Sequence, residues 1–421
     1  MFRSNVQLSL PEWPRFNPIP AGSLHYVPVM LDLPGELDAL AHAAAAVRDI
    51  ATPFIQIAAR APRRGHRSLG EDERPGWVAA RVKKLSAAVG DHPFYLEVLS
   101  VIHGPRSGGV WPPSVVAQVY DECRRRGLSF IPVHTIGQET LVSMVSEANL
   151  RDGRGVAMRY RAGATPQIGA RTLSERFSNE LDRLGVSPGE ADLFVDLGWL
   201  DPRLEIAAED VSAILDEAVH LGPWRNLIVA GTSVPESMRE IHQDEVGSIP
   251  RREWPLWEAL RPIRQETVVF GDYGIQHPKA PNTTTAGRLI ANVRYTTPLG
   301  TIVSRGRGVF NSIPRALRPA QYVGCCMRLL ASDYLADMDC ICPGDSAIRA
   351  CAEGISVPLG QRFWRMVGWS HHLEQVRLAF VRIEGNERLA IAERALGPGK
   401  AAAHSRTSGR PRRSVPAARG A

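Results

Sequence analysis

Residues 267–278 read TVVFGDYGIQHP, an apolar, β-branched run that ends at a glycine followed by Asp272 and Tyr273. A run without polar alternation predicts a strand that is buried on both faces, and the glycine allows the backbone to turn there. Seven earlier runs of this kind alternate with helical patterns, one about every 30 to 40 residues. They lie at 24–31, 53–59, 93–99, 128–135, 155–161, 192–198 and 226–232.

Eight buried strands separated by helices predict a (β/α)8 TIM-like barrel, because helical crossovers join parallel strands. A doubly wound open sheet is the alternative, although no G-x-G-x-x-G or Walker A motif follows the first strand. We expect an irregular arm at 1–22 and the barrel at 23–285. Residues 286–396 begin with a hairpin pattern and continue with helices, and we expect a C-terminal α+β extension that packs near the barrel mouth and completes the same domain.

The net charge of +6 is concentrated at the end of the chain. The chain has 50 Lys and Arg against 44 Asp and Glu, and six of the cations lie in 397–421, which has no acidic residue. The remainder is balanced in charge, so the high pI does not indicate a nucleic-acid groove in the body. The tail is rich in Gly, Ala, Ser and Pro, which predicts disorder. Weak contact with nucleic acid and a purely solubilising function are both open for it.

Membrane and secreted classes are not supported by the sequence. No run approaches the roughly 20 apolar residues that a membrane span requires. The first residues, MFRSNVQLSLPEWPRF, lack the apolar core and small-residue cleavage site of a signal peptide. Six cysteines in a chain of 421 residues do not form a disulfide framework. We therefore expect a cytoplasmic protein without a membrane partner.

Candidate site residues come from the carboxyl ends of the predicted strands, where barrels of this type carry their active sites. Because every such barrel has polar strand ends, many of these residues will only cap loops. The strand ends carry Asp32, Glu36, Arg60, Glu97, His134, Arg159, Arg161, Asp196, Thr232, Ser233, Asp272 and Tyr273.

Three of these carboxylates, Asp272, Asp196 and Glu36, have two interpretations. Together they could hold a divalent cation or position a water molecule through their oxygen atoms. Alternatively they form a buried ion-pair network with arginines on neighbouring strands. Both interpretations stay open at this point, and a divalent cation is the one cofactor under consideration.

Arginines in this part of the chain predict an anionic ligand. Arg159, Arg294 and Arg305 offer the planar fork that suits phosphate or carboxylate groups. Tyr273 and Tyr295 are suited to stacking against a base or positioning a hydroxyl group. We therefore expect a small anionic ligand at the barrel mouth.

The pair His371 and His372 follows Ser370, a residue that favours the N-cap of a helix. In a first helical turn the histidines would be neutral and able to bind metal or accept a proton. Adjacent side chains on a helix diverge, so one metal for both is unfavourable, and a structural cap is the alternative. Asp345 has the same ambiguity, since it can also cap a helix. The cysteines lack a familiar zinc spacing.

Several motifs resemble the family called beta protein, which is named after a phage protein. The resemblance rests on YVPVMLDLPGELDAL at 26–40, VDLGWL at 195–200, IVAGTSVPESM at 228–238, FGDYGIQHP at 270–278, ANVRYT at 291–296, SRGRG at 304–308, CPGDSAI at 342–348 and WRMVGWSHH at 364–372. It implies a barrel-like α/β body and supplies no established activity. The motifs contain Glu36, Asp196, Asp272, Tyr273, Asn292, Arg294, Tyr295, Arg305, Gly344, Asp345, Trp364, Arg365, His371 and His372. Cysteines at 325, 326, 340 and 342 depart from the pattern, which puts a cysteine mechanism in doubt.

The resulting hypothesis is a phage-related barrel whose mouth binds a phosphate-bearing or otherwise anionic ligand, under the C-terminal hairpin and the His-pair segment. As an enzyme it would be a metal-assisted hydrolase, with Asp272 and Asp196 as metal ligands or general base, and His371 as acid or base. Arg294 and Arg305 would form the electrostatic clamp. The other ligand-binding candidates are Glu36, Arg159, Tyr273, Asn292, Tyr295, Asp345, Arg365 and His372. The rival hypothesis is a non-catalytic interaction module, in a phage-related or anti-phage defence system, that binds a protein or nucleic acid.

Overall fold

The computed structural model describes residues 16–20, 23–57, 71–98, 111–162, 172–279, 290–309, 312–335 and 342–396. The chain divides into two compact units, Met1–Val376 and Arg377–Ala421. Within the second unit, the described residues are the later turns of the last helix. The basic tail, most of the N-terminal arm, Arg60 and Cys340 lie outside the described residues.

Eleven strands occur in the described part of the chain, and eight of them form the predicted barrel. They are β1 (Tyr26–Leu31), β2 (Phe54–Gln56), β3 (Phe94–Glu97), β4 (Phe130–Thr135), β5 (Val156–Arg161), β6 (Ala191–Trp199), β7 (Asn226–Thr232), β8 (Val246–Pro250), β9 (Val268–Asp272), β10 (Asn292–Thr296) and β11 (Gly300–Arg305). The closed order is β1-β2-β3-β4-β5-β6-β7-β9, and all neighbouring strands run parallel. The α/β barrel prediction is confirmed, and the open-sheet alternative is excluded.

Helices separate most of the barrel strands, and three more follow the barrel. They are α1 (Pro34–Ala41), α2 (Ala45–Arg48), α3 (Arg74–Val89), α4 (Ser114–Arg125), α5 (Val142–Asp152), α6 (Leu173–Leu184), α7 (Ala208–Val219), α8 (Glu253–Ile263), α9 (Arg318–Leu330), α10 (Pro343–Ala352) and α11 (Gln361–Leu396). Short 3-10 turns precede several of them. None of the described helices has the length and apolar character needed to cross a bilayer.

The barrel closes where β9 pairs with β1, with Gly271 opposite Val27. A Cβ atom on Gly271 would lie 2.9 Å from the Cβ of Ala230 on β7 and 3.1 Å from the carbonyl oxygen of Val27. Since real Cβ contacts of 2.9 Å are essentially never seen, this position requires glycine. The apolar side chains of alternate strand positions fill the interior, among them Phe54, Phe194 and Ile228.

The C-terminal extension has a sheet and a core of its own. The predicted hairpin is β10 and β11, and β11 also pairs antiparallel with β8, giving the order β10-β11-β8. We had expected the chain between β7 and β9 to be loop and helix, so β8 was missed. Its sequence, VGSIP, contains both Gly and Pro, which are depleted in strands and therefore weaken the strand signal. This sheet packs on α9, α10 and α11 through buried side chains such as Tyr322, Cys325 and Trp364.

The segment with the His pair is part of one continuous helix. We expected a helix start at Ser370, but α11 already begins at Gln361, so both histidines lie in its third turn. The sequence is compatible with the earlier helix start, because Phe363, Trp364 and Trp369 can all lie in a helix and no proline lies between Gln361 and Ser370. The helix dipole therefore cannot set the charge of these two rings.

Candidate functional site

A buried ion-pair cluster lies at the barrel mouth, by which we mean the end where the parallel strands finish. Arg159 Nη1 lies 2.7 Å from each carboxylate oxygen of Glu97, and Arg159 Nη2 lies 2.6 Å from Asp196 Oδ2. Arg159 Nη2 also donates to the Tyr273 hydroxyl at 2.7 Å, and that hydroxyl donates to Asp196 Oδ1 at 2.8 Å. We call these four residues the Arg159 cluster. Asp196 is therefore part of a buried ion-pair network, which was the alternative to a cation site for this carboxylate.

Glu97 is held in its ionised form by this cluster. Gln56 and Thr135 donate to its two oxygens at 2.6 and 2.9 Å. Burial by itself raises the pKa of Glu97, but the charges of Arg159 and Arg161 outweigh burial and bring the pKa to about 2. The carboxylates of Glu97 and Asp196 share the buried guanidinium of Arg159, which holds all three side chains in place at the barrel mouth.

Asp272 lies in a second buried cluster with His372, Tyr26 and Arg251, which we call the Asp272 cluster. The Tyr26 hydroxyl donates to Asp272 Oδ1 at 2.5 Å, and Arg251 Nη2 donates to Oδ2 at 3.1 Å. His372 Nε2 lies 3.0 Å from Oδ2. Burial raises the pKa of Asp272, but His372, Arg251 and the Tyr26 hydroxyl together lower it to about 2. A carboxylate with this pKa and these partners is a weak base near neutral pH.

The other nitrogen of His372 contacts a hydroxyl group, which completes an Asp–His–Thr arrangement. Thr296 Oγ1 lies 3.0 Å from His372 Nδ1, opposite the nitrogen that contacts Asp272. A nucleophilic triad would have the same connectivity. However, Thr296 is 0% exposed and His372 is 1% exposed, and both ring nitrogens of His372 are occupied by contacts with Thr296, Tyr26 and Asp272, so the arrangement is a packed contact between structural elements. The arrangement joins β9, β10 and α11 and fixes the extension to the barrel.

His371 points into a different set of contacts from those of its neighbour. Its Nδ1 lies 2.9 Å from Asp345 Oδ1, and its Nε2 lies 2.8 Å from the carbonyl oxygen of Thr296. The Tyr295 ring stacks on the imidazole with 3.7 Å between the ring centres. Asp345 also accepts the backbone N–H of Cys342 at 2.9 Å, so it caps α10 in addition to contacting His371. The expectation that the two histidines would diverge is met by this geometry.

Arg294 and Arg365 lie close together at the mouth, and we call them the arginine pair. Arg294 donates through Nε to Asn292 at 3.1 Å and through Nη1 to the carbonyl oxygen of Ile275. Burial and the positive charge of Arg365 lower the pKa of Arg294 to about 10. In the described part of the chain, neither arginine donates a hydrogen bond to a carboxylate. Arg365 Nε is 3.9 Å from Glu36 Oε1, which is longer than a hydrogen bond. Two guanidinium groups in such an environment attract an anion.

Glu36 is the titratable acid beside this pair. It is 0% exposed, and its Oε2 accepts the backbone N–H of Leu31 at 2.7 Å. Burial raises the pKa of Glu36 to about 7, although Arg365, Gln276 and the Leu31 N–H act in the opposite direction. The carboxyl group therefore changes its charge near neutral pH.

Replacing Glu36 with Gln is expected to stabilise the protein at pH 8 and to change little at pH 4.5. The folded pKa of about 7 lies above the ordinary 4.5. The contribution of Glu36 to stability is therefore full below pH 4.5 and is lost as the pH rises through 7. The shift corresponds to about 3 kcal/mol at pH 8. Urea unfolding of both proteins at the two pH values measures this. The matched control is Glu258→Gln on an exposed face of α8, and equal pH dependence of E36Q and wild type would contradict the expectation.

Other predicted site residues have structural contacts. Arg305 Nη1 donates to the carbonyl oxygens of Met238 at 2.9 Å and Ile241 at 2.5 Å, which are not anionic partners. Asn292 positions Arg294, as described above. Arg305 is thus outside the arginine pair, and Arg365 takes the place that we had expected Arg305 to hold in the clamp.

The structure does not bring Asp272, Asp196 and Glu36 together as a set of metal ligands. Asp196 contacts Arg159, Asp272 contacts Arg251 and His372, and Glu36 lies against Leu31 and Arg365. The oxygen-ligated cation is therefore not supported by these three, and the ion-pair interpretation describes Asp196 and Asp272.

Some contributors could not be found from the sequence. Tyr26, Arg251 and Gln276 lie in a strand and in two connecting segments, and none of them stands out by spacing or composition. Glu97 and Arg161 were visible as polar residues at strand ends, and Arg161 lies 3.8 Å from Glu97 and 3.9 Å from Asp196. Only the three-dimensional pairing reveals the other three.

A cavity of about 500 Å³ lies at the opposite end of the barrel, where the strands begin. Its lining includes Ile19 from the segment before β1, and Trp224, Asn226 and Thr267, which lie at or near the first residues of β7 and β9. In barrels of this type that end supports stability, whereas chemistry takes place at the mouth. We therefore place the candidate site at the mouth.

Comparisons with known proteins bear on the fold and the family. Comparison with curated proteins found no match. Similar solved structures include a GH18 chitinase from Pseudoalteromonas aurantia, at 10% identity and a TM-score of 0.32, over 49% of this chain and 93% of that chain. A mutant tryptophan synthase α-subunit from Pyrococcus furiosus has 12% identity and a TM-score of 0.33, over 59% and 87%. An HMG-CoA lyase from Brucella melitensis has 14% identity and a TM-score of 0.31, over 62% and 85%. These likenesses are too distant to assign an activity.

A family model described as Beta protein matches residues 26–377. The match begins at the first residue of β1 and ends in α11, so it includes the barrel, the three-stranded sheet and the histidine pair. It agrees with the family that the motifs resemble. The chain belongs to the Beta protein family.

Proposed function

We propose that the barrel mouth binds a small molecule that carries a phosphate or carboxylate group. The observation that supports this is the arginine pair, in which the charge of Arg365 contributes to lowering the pKa of Arg294 to about 10. Two like charges that repel each other in a buried environment cost free energy, and a bound anion would offset the cost. Glu36 neutralises part of the charge only when it is ionised, and its pKa of about 7 leaves it partly protonated near neutral pH.

The geometry of Arg294 suits a fixed anion site. Asn292 and the Ile275 carbonyl oxygen hold its Nε and Nη1, and its Nη2 makes no hydrogen bond among the described residues. A guanidinium that is already oriented loses little conformational entropy when it binds an oxyanion. Arg365 adds a second fork from α11. A phosphate group between them would receive charge-assisted hydrogen bonds from two directions.

We further propose that the bound molecule is hydrolysed and that Glu36 transfers the proton. A general base works best when its pKa is near the working pH, and Glu36 meets this condition while Asp272 and Glu97, at about 2, do not. In this account the Arg159 and Asp272 clusters hold the mouth rigid. Arg294 and Arg365 stabilise negative charge on the reacting group.

Loss of either arginine of the pair is expected to weaken anion binding at least tenfold. A hydrogen bond to a charged group contributes about 1.5–3 kcal/mol, which corresponds to about 10 to 100-fold in affinity. Isothermal titration with inorganic phosphate, pyrophosphate, nucleoside monophosphates and citrate would be carried out on the wild type, Arg294→Gln and Arg365→Gln. The control is Arg362→Gln, because Arg362 lies on the same helical turn as Arg365 and pairs with Asp38 at the surface.

The outcomes separate binding from chemistry. An anion that binds the wild type and R362Q equally, and binds R294Q and R365Q weakly, supports the site. Unchanged affinity in the two site variants contradicts it. Where a bound ester is hydrolysed, Glu36→Gln is expected to lower the rate at least about 100-fold without weakening anion binding, because it removes a negative charge beside Arg365. Binding without turnover of any tested ester would favour the non-catalytic interaction module.

A further inference from the structure

Three side chains with metal-binding atoms meet between the start of α10 and the middle of α11. They are Cys342, Asp345 and His371, and their ligand atoms all lie within 4.8 Å of one another. In the part of the chain that the structure describes, no other group of three or more His, Cys, Asp or Glu side chains meets this condition. Asp345 and His371 are buried, and Cys342 is half-buried. The group shares no residue with the arginine pair or with Glu36.

The orientation of the His371 ring distinguishes a metal site from a catalytic relay. Its Nε2 lies 2.8 Å from the Thr296 carbonyl oxygen, which only accepts, so Nε2 donates there, and Nδ1 faces the carboxylate oxygen Asp345 Oδ1, where a metal ion would replace the Nδ1 proton. Asp345 Oδ1 at 2.9 Å and Cys342 Sγ at 3.9 Å both face this same nitrogen. In a nucleophile–His–acid relay the two partners contact different ring nitrogens. Here a carboxylate oxygen and a sulfur atom both face the same ring nitrogen, and this is the arrangement in which one cation can replace the bound protons.

The surroundings hold these donors in place. The backbone N–H of Cys342 donates to Asp345 Oδ2 at 2.9 Å, Oδ1 faces His371, and the Tyr295 hydroxyl also donates to this carboxylate. Tyr295 stacks on the imidazole, and the Thr296 carbonyl fixes the tautomer. Metal-binding histidines commonly donate their other ring nitrogen to a carbonyl or carboxylate in this way. In a tetrahedral zinc site, ligand atoms about 2.0–2.3 Å from the ion are about 3.3–3.8 Å apart, so small shifts of Asp345 and Cys342 would complete the site.

We propose that Cys342, Asp345 and His371 bind one zinc ion per chain. A thiolate, an imidazole and a carboxylate together suit Zn²⁺ better than Mg²⁺ or Ca²⁺, which prefer oxygen ligands alone. Three protein ligands leave a fourth tetrahedral position for water or another donor. The ion joins the first turn of α10 to α11, and through His371 to β10.

The test uses the full-length protein loaded with Zn²⁺ or Co²⁺ after treatment with a chelator. We expect one equivalent of Zn²⁺ to bind and to raise the midpoint of thermal unfolding. Bound Co²⁺ should show the visible bands of tetrahedral cobalt and a near-ultraviolet thiolate-to-cobalt charge-transfer band. Cys342→Ser should lose the charge-transfer band, and C342S, Asp345→Asn and His371→Gln should each bind Zn²⁺ at least about tenfold more weakly. Cys351→Ala, a thiol on the same helix outside the group, is the control and should bind as the wild type does.

Two results would overturn the proposal. One is a folded wild-type protein that binds less than half an equivalent of Zn²⁺ in competition with a chromogenic chelator. The other is a cobalt spectrum that lacks the charge-transfer band, or retains it in C342S. The wild-type measurements do not depend on the folding of any variant. They are also independent of anion binding, because none of the three ligands belongs to the arginine pair.

Discussion

Arg159→Met is expected to lower the free energy of unfolding by about 3–5 kcal/mol at pH 7, as for other broken buried ion pairs. Arg159 is 2% exposed, and its guanidinium binds both Glu97 and Asp196. Methionine fills a similar volume but leaves two buried carboxylates without their cation. Urea denaturation of the variant and the wild type at equal pH measures the loss.

The loss should become smaller as the pH is lowered. In the wild type the pKa of Glu97 is about 2, below its ordinary 4.5. Its stabilising contribution is therefore present above pH 4.5 and is lost as the pH falls through 2. Without Arg159, burial raises the pKa of Glu97, so the variant can protonate this carboxyl between pH 7 and 4.5. The difference between the two proteins is then smaller at pH 4.5 than at pH 7.

A rescue variant separates charge from packing in the Arg159 cluster. Adding Glu97→Gln and Asp196→Asn to Arg159→Met removes the uncompensated charges, so we expect part of the lost stability to return. Arg203→Gln serves as the surface control, because Arg203 is exposed and its partner Asp201 lies at the surface. If R159M is as stable as the wild type, or if the triple variant is less stable than R159M, the ion-pair description of the mouth is wrong.

Asp272→Ala is the second substitution with a large expected effect, again about 3–5 kcal/mol at pH 7. It removes the common acceptor of Tyr26 and Arg251 and the partner of His372, and all of these side chains are buried. Arg251 keeps Glu253 as an ion-pair partner at 3.2 Å, which limits but does not cancel the cost. Since Asp272 has a pKa of about 2, below its ordinary 3.8, its contribution is lost as the pH falls through 2.

Tyr26→Phe is the graded companion of Asp272→Ala. It removes one hydrogen bond to a charged group and keeps the ring, so the expected loss is smaller, about 1.5–3 kcal/mol. Urea denaturation at pH 7 should rank the proteins wild type, Y26F, D272A in order of falling stability. A D272A variant that loses no more stability than Y26F would show that the cluster does not join the extension to the barrel.

The barrel could be predicted from sequence because its strands are buried on both faces. TVVFGDY and the seven earlier runs have no polar alternation, and that pattern is specific to parallel strands under helices. β8 could not be predicted, since VGSIP gains its strand conformation only by pairing with β11. The same limit applies to the start of α11, where Ser370 has the composition of an N-cap but lies inside a helix that begins nine residues earlier.

The site was predictable by residue type but not by pairing. Asp196, Asp272 and Arg159 lie at or near the ends of their strands, and parallel strands finish at one end of the barrel. The pairing of acids with bases depends on the length of the side chains and on how closely segments pack, for example where Gly274 lies against Trp369. This glycine has a φ of +56°, and its missing Cβ would meet the Trp369 ring at 2.6 Å. Arg251 and Tyr26 contact Asp272 from distant parts of the sequence, and no linear pattern encodes these pairings.

A heavy-atom anion tests most directly whether the arginine pair binds an anion. Crystals of the wild-type protein would be soaked in tungstate, a strong anomalous scatterer with the shape and charge of a divalent phosphate. We expect an anomalous peak within hydrogen-bond reach of both Arg294 and Arg365, and we expect this peak to be lost in R294Q crystals. Tungstate bound elsewhere on the chain, with no peak between these two guanidinium groups, would contradict this expectation.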